Sequence, residues 1–127
     1  MGIVNKLKTL VFRTTKPQNP TTLTECFPAL LTLLDDSTVN QIRDCTEDEM
    51  PSWHFSLGMW LRNNWGLWQD SPLKRWFESK GIYHADDMSG IILDSFWRHL
   101  HGKPIELESQ IKYYQDYWDR QEKSSAD

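Results

Sequence analysis

The 127-residue sequence predicts an all-α fold, a compact single-domain bundle of six to seven helices around a buried, tryptophan-rich central helix. Three observations carry that expectation. Apolar residues recur at helical spacing along most of the chain. No segment alternates apolar and polar residues as a strand does, and residues that start and stop helices recur between the apolar stretches. The composition agrees: the charged share is 25%, and six Gly with six Pro are too few for collagen-like or low-complexity sequence.

Residues 3–13 place Ile3, Val4, Leu7, Leu10 and Val11 on one helical stripe, with Lys6, Lys8 and Arg13 outside it. This reads as a short basic amphipathic helix. The breaker run Lys16-Pro17-Gln18-Asn19-Pro20 ends it, so residues 1–20 form an N-terminal arm. Its stripe suits docking on the domain, and a membrane-surface or partner-binding arm is the other reading. Gly2 lacks the Ser or Thr at position 6 that myristoylation requires. The helical domain is expected over residues 21–122, followed by a frayed polar tail at 123–127.

Within the domain, Thr22 and Glu25 have capping-box spacing, and Cys26, Phe27, Leu30, Leu31 and Leu34 supply the apolar face behind them. Pro28 then belongs in or near the first turn. Another helix follows from Ser37, carrying Val39 and Ile42. Thr46 and Glu49 repeat the capping box and open the expected central helix. Its residues 53–61 read Trp-His-Phe-Ser-Leu-Gly-Met-Trp-Leu, apolar on nearly every face. Gly58 weakens a helix by about 1 kcal/mol against Ala, which close approach of a second helix would offset.

Ser71-Pro72 is a strong helix start, with Leu73, Trp76 and Phe77 as the buried stripe and Gly81 as the stop. The longer helix after Tyr83 carries Met88, Ile91, Ile92, Ser95, Phe96 and Leu100 on one side, and Asp94 with Arg98 as an i,i+4 pair on the other. Gly102 and Pro104 close it. From about Glu106, Leu107, Ile111, Tyr114 and Trp118 mark a last helix, with Glu108–Lys112 and Asp116–Arg120 as surface pairs.

Net charge is −4, divided into +4 over residues 1–20, −6 over 21–50, +2 over 51–80 and −4 over 81–127. An acidic body lacks the basic stripe that phosphate binding needs, so no nucleic-acid partner is expected. No apolar run reaches 18 residues, which excludes a transmembrane helix. The start lacks a secretory leader, and Cys26 and Cys45 suit reduced core positions, so a cytoplasmic protein is expected. No His or Cys stands at metal-ligand spacing near either thiol, and His54, His84, His99 and His101 form no ligand pair; no metal or cofactor is expected.

Two polar clusters stand among apolar neighbours: Arg62-Asn63-Asn64, and His84-x-Asp86-Asp87-x-Ser89. A catalytic reading has Arg62 clamp an anion while His84 and Asp86 or Asp87 exchange a proton. A structural reading has one Asp cap the helix near Met88 while Arg62 pairs with an Asp inside the fold. The structural reading is favoured, because a helix start needs acids and an Arg among tryptophans needs a counter-ion. Of the seven Trp, Trp53 and Trp60 are expected in the core. Trp65, Trp68, Tyr113, Tyr117 and Trp118 are candidate partner contacts, near element ends or beside polar faces.

The segment His54-x-x-Leu57-Gly58-Met59-Trp60-Leu61-Arg62-Asn63-x-Trp65-Gly66-Leu67-Trp68, with Gly81-Ile82-x-His84-x-Asp86-Asp87-Met88-Ser89-x-Ile91-Ile92-Leu93, resembles a bacterial domain family of unknown function. The likeness covers roughly residues 37–118; it implies a bacterial origin and no activity. The expectation is a non-catalytic protein-binding domain of immunity or adaptor type, one that binds and neutralises a basic toxin or enzyme. The alternative is a small enzyme or ligand-binding domain using Arg62, His84, Asp86 and Asp87.

Overall fold

Residues 18–126 are described by the computed structural model. The basic helix expected at 3–13 lies outside the described residues. Helices α1 (Leu23–Leu33) and α2 (Asp36–Asp44) lead into a 3-10 segment, Glu47–Phe55, and then α3 (Leu57–Asn64). Helices α4 (Pro72–Ser79), α5 (Ala85–Leu100) and α6 (Leu107–Ala126) complete the chain, and the described residues contain no strand. The all-α single domain is as expected. Helix α6 is described as far as Ala126.

The starts follow local chemistry. Thr22 accepts the Glu25 N–H at 3.3 Å, but the Glu25 carboxylate takes the Thr21 N–H and hydroxyl instead of closing the box. Asp35 caps α2 by accepting the Thr38 N–H at 2.9 Å. Ser71 accepts the Lys74 N–H at 3.1 Å while donating its hydroxyl to the Gly66 carbonyl at 3.0 Å, so one side chain both caps α4 and closes the turn before it. Pro28 falls in the second turn of α1, on its exposed side, where it forgoes one ladder bond without ending the helix.

The expected central helix is two elements. The Thr46 N–H does reach Glu49 Oε1 at 2.8 Å, but Pro51 has no N–H to give an α-helical ladder, and the chain runs as a 3-10 turn to Phe55. Trp53 is fully buried and Trp60 half-buried, whereas Phe55 is 83% and Met59 48% exposed. The most buried helix is α5, with ten of sixteen residues buried, which packs against the 3-10 segment and every other described helix. Its Phe96 stacks on Phe27, and its Trp97 donates the indole N–H to the Cys45 carbonyl at 2.8 Å. Trp53 donates to Cys45 Sγ at 3.4 Å, so two tryptophans converge on one buried cysteine.

Gly81 (φ +86°) and Gly102 (φ +65°) end α4 and α5 in left-handed turns. In each, the next residue's N–H returns to the last turn: Ile82 to Phe77 at 3.0 Å and Lys103 to Arg98 at 2.9 Å. Two expected surface pairings differ. Arg98 leaves Asp94 for Glu47, at 2.6 Å across elements, and Lys112 pairs forward with Asp116 at 3.0 Å rather than back with Glu108.

Candidate functional site

Gly58 and Arg62 lie one turn apart on the face of α3 that meets α5. A Cβ at Gly58 would sit 3.1 Å from Arg62 Nη1 and 3.5 Å from Leu93 Cδ1, so the glycine makes room for a guanidinium as well as for the neighbouring helix. Arg62 Nη1 donates to Ser89 Oγ at 2.8 Å and Nη2 to the His54 carbonyl at 3.3 Å. Its Nε lies 3.3 Å from Asp86 Oδ1, an ion pair without hydrogen-bond alignment. Ser89 passes its own proton to the Asp86 carbonyl at 3.1 Å. With 11% of its side chain exposed, Arg62 ties α3, the 3-10 segment and the start of α5 together. It lines none of the three clefts described below.

The rest of the polar cluster faces outward. Helix α5 begins at Ala85, with His84 as a cap residue that makes no side-chain capping bond, and Asp86 and Asp87 in the first turn, where the helix dipole favours negative charge. Neither Asp caps a helix starting near Met88. Helix α6 crosses this end of α5 at Gly90, where an added Cβ would lie 2.7 Å from the Tyr114 hydroxyl. Trp68, His84, Asp86, Asp87, Tyr113, Tyr117 and Trp118 thereby wall a cleft of about 400 Å³. On the other side of Trp118 a second cleft of about 400 Å³ adds Asp119 and Glu122. The two share His84, Asp87, Tyr114 and Trp118, making one furrow with an aromatic ridge.

The ridge is held in place. The His84 ring stacks on Trp118 at 3.9 Å and 18°, and the Trp118 indole N–H donates to Asp87 Oδ2 at 2.8 Å. Tyr117 meets Trp118 edge-on at 5.0 Å. Trp68, 57% exposed, donates its N–H to Asn63 Oδ1 at 2.9 Å. Burial pushes the Asp87 carboxyl above the usual range, against the opposing pull of the Trp118 N–H and His84.

A third cleft, of about 480 Å³, lies across Tyr113 and Tyr114 and includes His54, Asp94, Arg98, Glu106 and Gln110. Burial, with Glu47 adding to it and Arg98 opposing, pushes the Asp94 carboxyl up to about 6. Burial and the Arg62 charge hold the His54 imidazole below its ordinary value. Glu106 adopts φ +58° at the turn into α6. Among the described residues no group of three His, Cys, Asp or Glu is placed to hold a metal ion.

Of the residues expected at a site, Trp68, His84, Asp86, Asp87, Tyr113, Tyr117 and Trp118 come together, and Arg62 and Trp65 do not. Trp65 is 2% exposed, which removes it as a contact residue. Its N–H closes on the Leu61 carbonyl, Gly66 (φ +75°) reverses the chain, and the ring folds in edge-on against Trp60 at 6.1 Å. Sequence reasoning missed Asn63 as the anchor of Trp68, and the Asp94–His54 cleft. Pairing Asp94 with Arg98 on paper hid its burial.

Ala at 58 gains about 1 kcal/mol of helix propensity, but its Cβ meets a guanidinium held by three partners. Gly58→Ala should therefore destabilise the wild-type chain by about 1 kcal/mol and Arg62→Ala by about 2–3 kcal/mol, while Gly58→Ala turns stabilising in the Arg62→Ala background. Urea unfolding of the four proteins measures this, and additive effects would contradict it. Asp94 holds its proton more tightly folded than unfolded, so its carboxylate costs stability above about pH 6 and the cost fades toward pH 4. Asp94→Asn should stabilise by about 1 kcal/mol near pH 7.5 and by nothing measurable near pH 4; equal gains at both would refute the assignment.

No curated protein and no solved structure matches the chain. Residues 19–100 match the family described as a domain of unknown function, DUF6794, a span that starts before the expected 37–118 and ends with α5. Helix α6, which carries Tyr113, Tyr117 and Trp118, follows the matched residues. With well over half of its length matched, the chain belongs to the DUF6794 family.

Proposed function

We propose that this is a protein-binding domain of immunity or adaptor type, and that its contact face is the furrow between the start of α5 and the middle of α6. The observation that supports the reading is the grouping of Trp68, Tyr113, Tyr117 and Trp118, all exposed, along a single cleft. Exposed large aromatics are normal singly, but four in one concave surface match the composition of interface hot spots. Two of the four are pinned by indole N–H bonds, so binding has little side-chain entropy left to remove. The enzyme reading receives less support, because the Arg62 it assigned to an anion is spent on Ser89, His54 and Asp86. Toxin neutralisation by occlusion would need no chemistry from this chain, and the net charge of −4 suits a basic target.

Site-specific photocrosslinking in the native host tests the contact face. A benzophenone side chain replacing Tyr113 or Tyr117 should give the same discrete adduct to another protein, and one replacing the exposed Ser37 on α2 should give none. Adducts of equal yield from all three positions, or none from the furrow, would sink the proposal.

A further inference from the structure

We infer that the furrow recognises an arginine side chain on a basic segment of the partner, taken up between the aromatic rings and the carboxylates at the start of α5. This rests on the protein-binding reading and specifies its chemistry. Asp86, Asp87, Asp119 and Glu122 line the two halves of the furrow, and among the described residues no Lys or Arg lines either. Asp86 exposes 76% of its side chain although Arg62 approaches it from inside, so it remains open to a second cation.

Helix α5 does not depend on an incoming cation for its own order. Its dipole already favours the acids, and Asp87 is held by Trp118. Among the described residues no Lys or Arg meets the acids of the first turn from the furrow side, and the aromatic walls are the surface on which a planar, weakly hydrated cation sits best. A guanidinium can stack on Tyr or Trp while donating two parallel N–H bonds to a carboxylate. An ammonium can do the second only as a point charge, so arginine is preferred over lysine. One face of Trp118 is already covered by His84 at 3.9 Å, which leaves its other surroundings, Tyr117 and the opposite Trp68, as the stacking partners.

The test uses the full chain and blocked hexa-arginine, hexa-lysine and hexa-glutamate peptides, with tryptophan fluorescence and calorimetry as readouts at two salt concentrations. Hexa-arginine should bind at least several-fold more tightly than hexa-lysine, and hexa-glutamate should not bind. Asp86→Asn with Asp87→Asn should weaken hexa-arginine tenfold or more, as should Tyr117→Ala with Tyr113→Ala. The second pair removes two exposed rings and spares the core, so loss of binding cannot be put down to unfolding. Asp44→Asn with Asp48→Asn, acids exposed elsewhere on the body, should change affinity less than twofold.

Equal losses from the Asp44/Asp48 pair would overturn the inference in favour of general charge attraction. Equal affinity for the arginine and lysine peptides would overturn the guanidinium preference. Binding that emerges only once Lys6, Lys8, Arg13 and Lys16 are neutralised would make the chain's own basic arm the occupant, again overturning a partner arginine. If furrow positions crosslink a partner protein while hexa-arginine ignores the furrow, the chemistry named here fails and the protein-binding reading survives. If neither occurs, the reading itself fails.

Discussion

A helix with most of its residues buried must have its inward polar groups met from within, and that constraint on α5 organises the molecule. Ten of its sixteen residues are buried, among them Ser89 and Ser95. Arg62 of α3 donates to Ser89 and Gln110 of α6 donates to Ser95 at 3.0 Å. These two bonds fix which helices flank α5 and at what height. Two glycines finish the fit: Gly58 admits the guanidinium and Leu93, and Gly90 admits the Tyr114 hydroxyl. The furrow is a consequence, since α6 can reach the start of α5 only in the register that Gly90 and Ser95 allow.

Inner and outer polar groups thus divide the work. Arg62 faces inward and is consumed in holding three elements together, while Asp86 and Asp87 face the solvent side of the same junction. The two sets meet at Asp86, which accepts the Arg62 approach and still presents most of its carboxylate. The family match ends with α5, so one wall of the furrow belongs to the matched domain and the other to the helix that follows it. No helix among the described residues is long and apolar enough to cross a membrane.

Much of this was legible in the residues. Ser71-Pro72, Gly81 and Gly102 act where their local chemistry places them, because caps and left-handed turns depend on a few neighbouring atoms. The internal role of Arg62 was readable from its tryptophan surroundings and the acids that could answer it. Less legible was anything decided by the direction a chain takes after an element ends. Trp65 and Trp68 differ by three positions, yet the Gly66 turn sends the first into the core and leaves the second 57% exposed. The apolar run at 53–61 read as a buried helix because periodicity does not register that Pro51 breaks the ladder. Arg98 had a local partner in Asp94 and a distant one in Glu47, and only the packed fold decides between them.

The tryptophans divide into a buried set that builds the core and a pinned, exposed set that builds the furrow. Uniform 5-fluorotryptophan labelling, with ¹⁹F NMR in the presence of a soluble paramagnetic agent, reads all seven rings at once. Assigned by single Trp→Phe variants, the signals of Trp68 and Trp118 should broaden strongly, Trp60 and Trp76 partly, and Trp53, Trp65 and Trp97 scarcely at all. A protected Trp118, or a Trp65 that broadens as much as Trp68, would contradict the account.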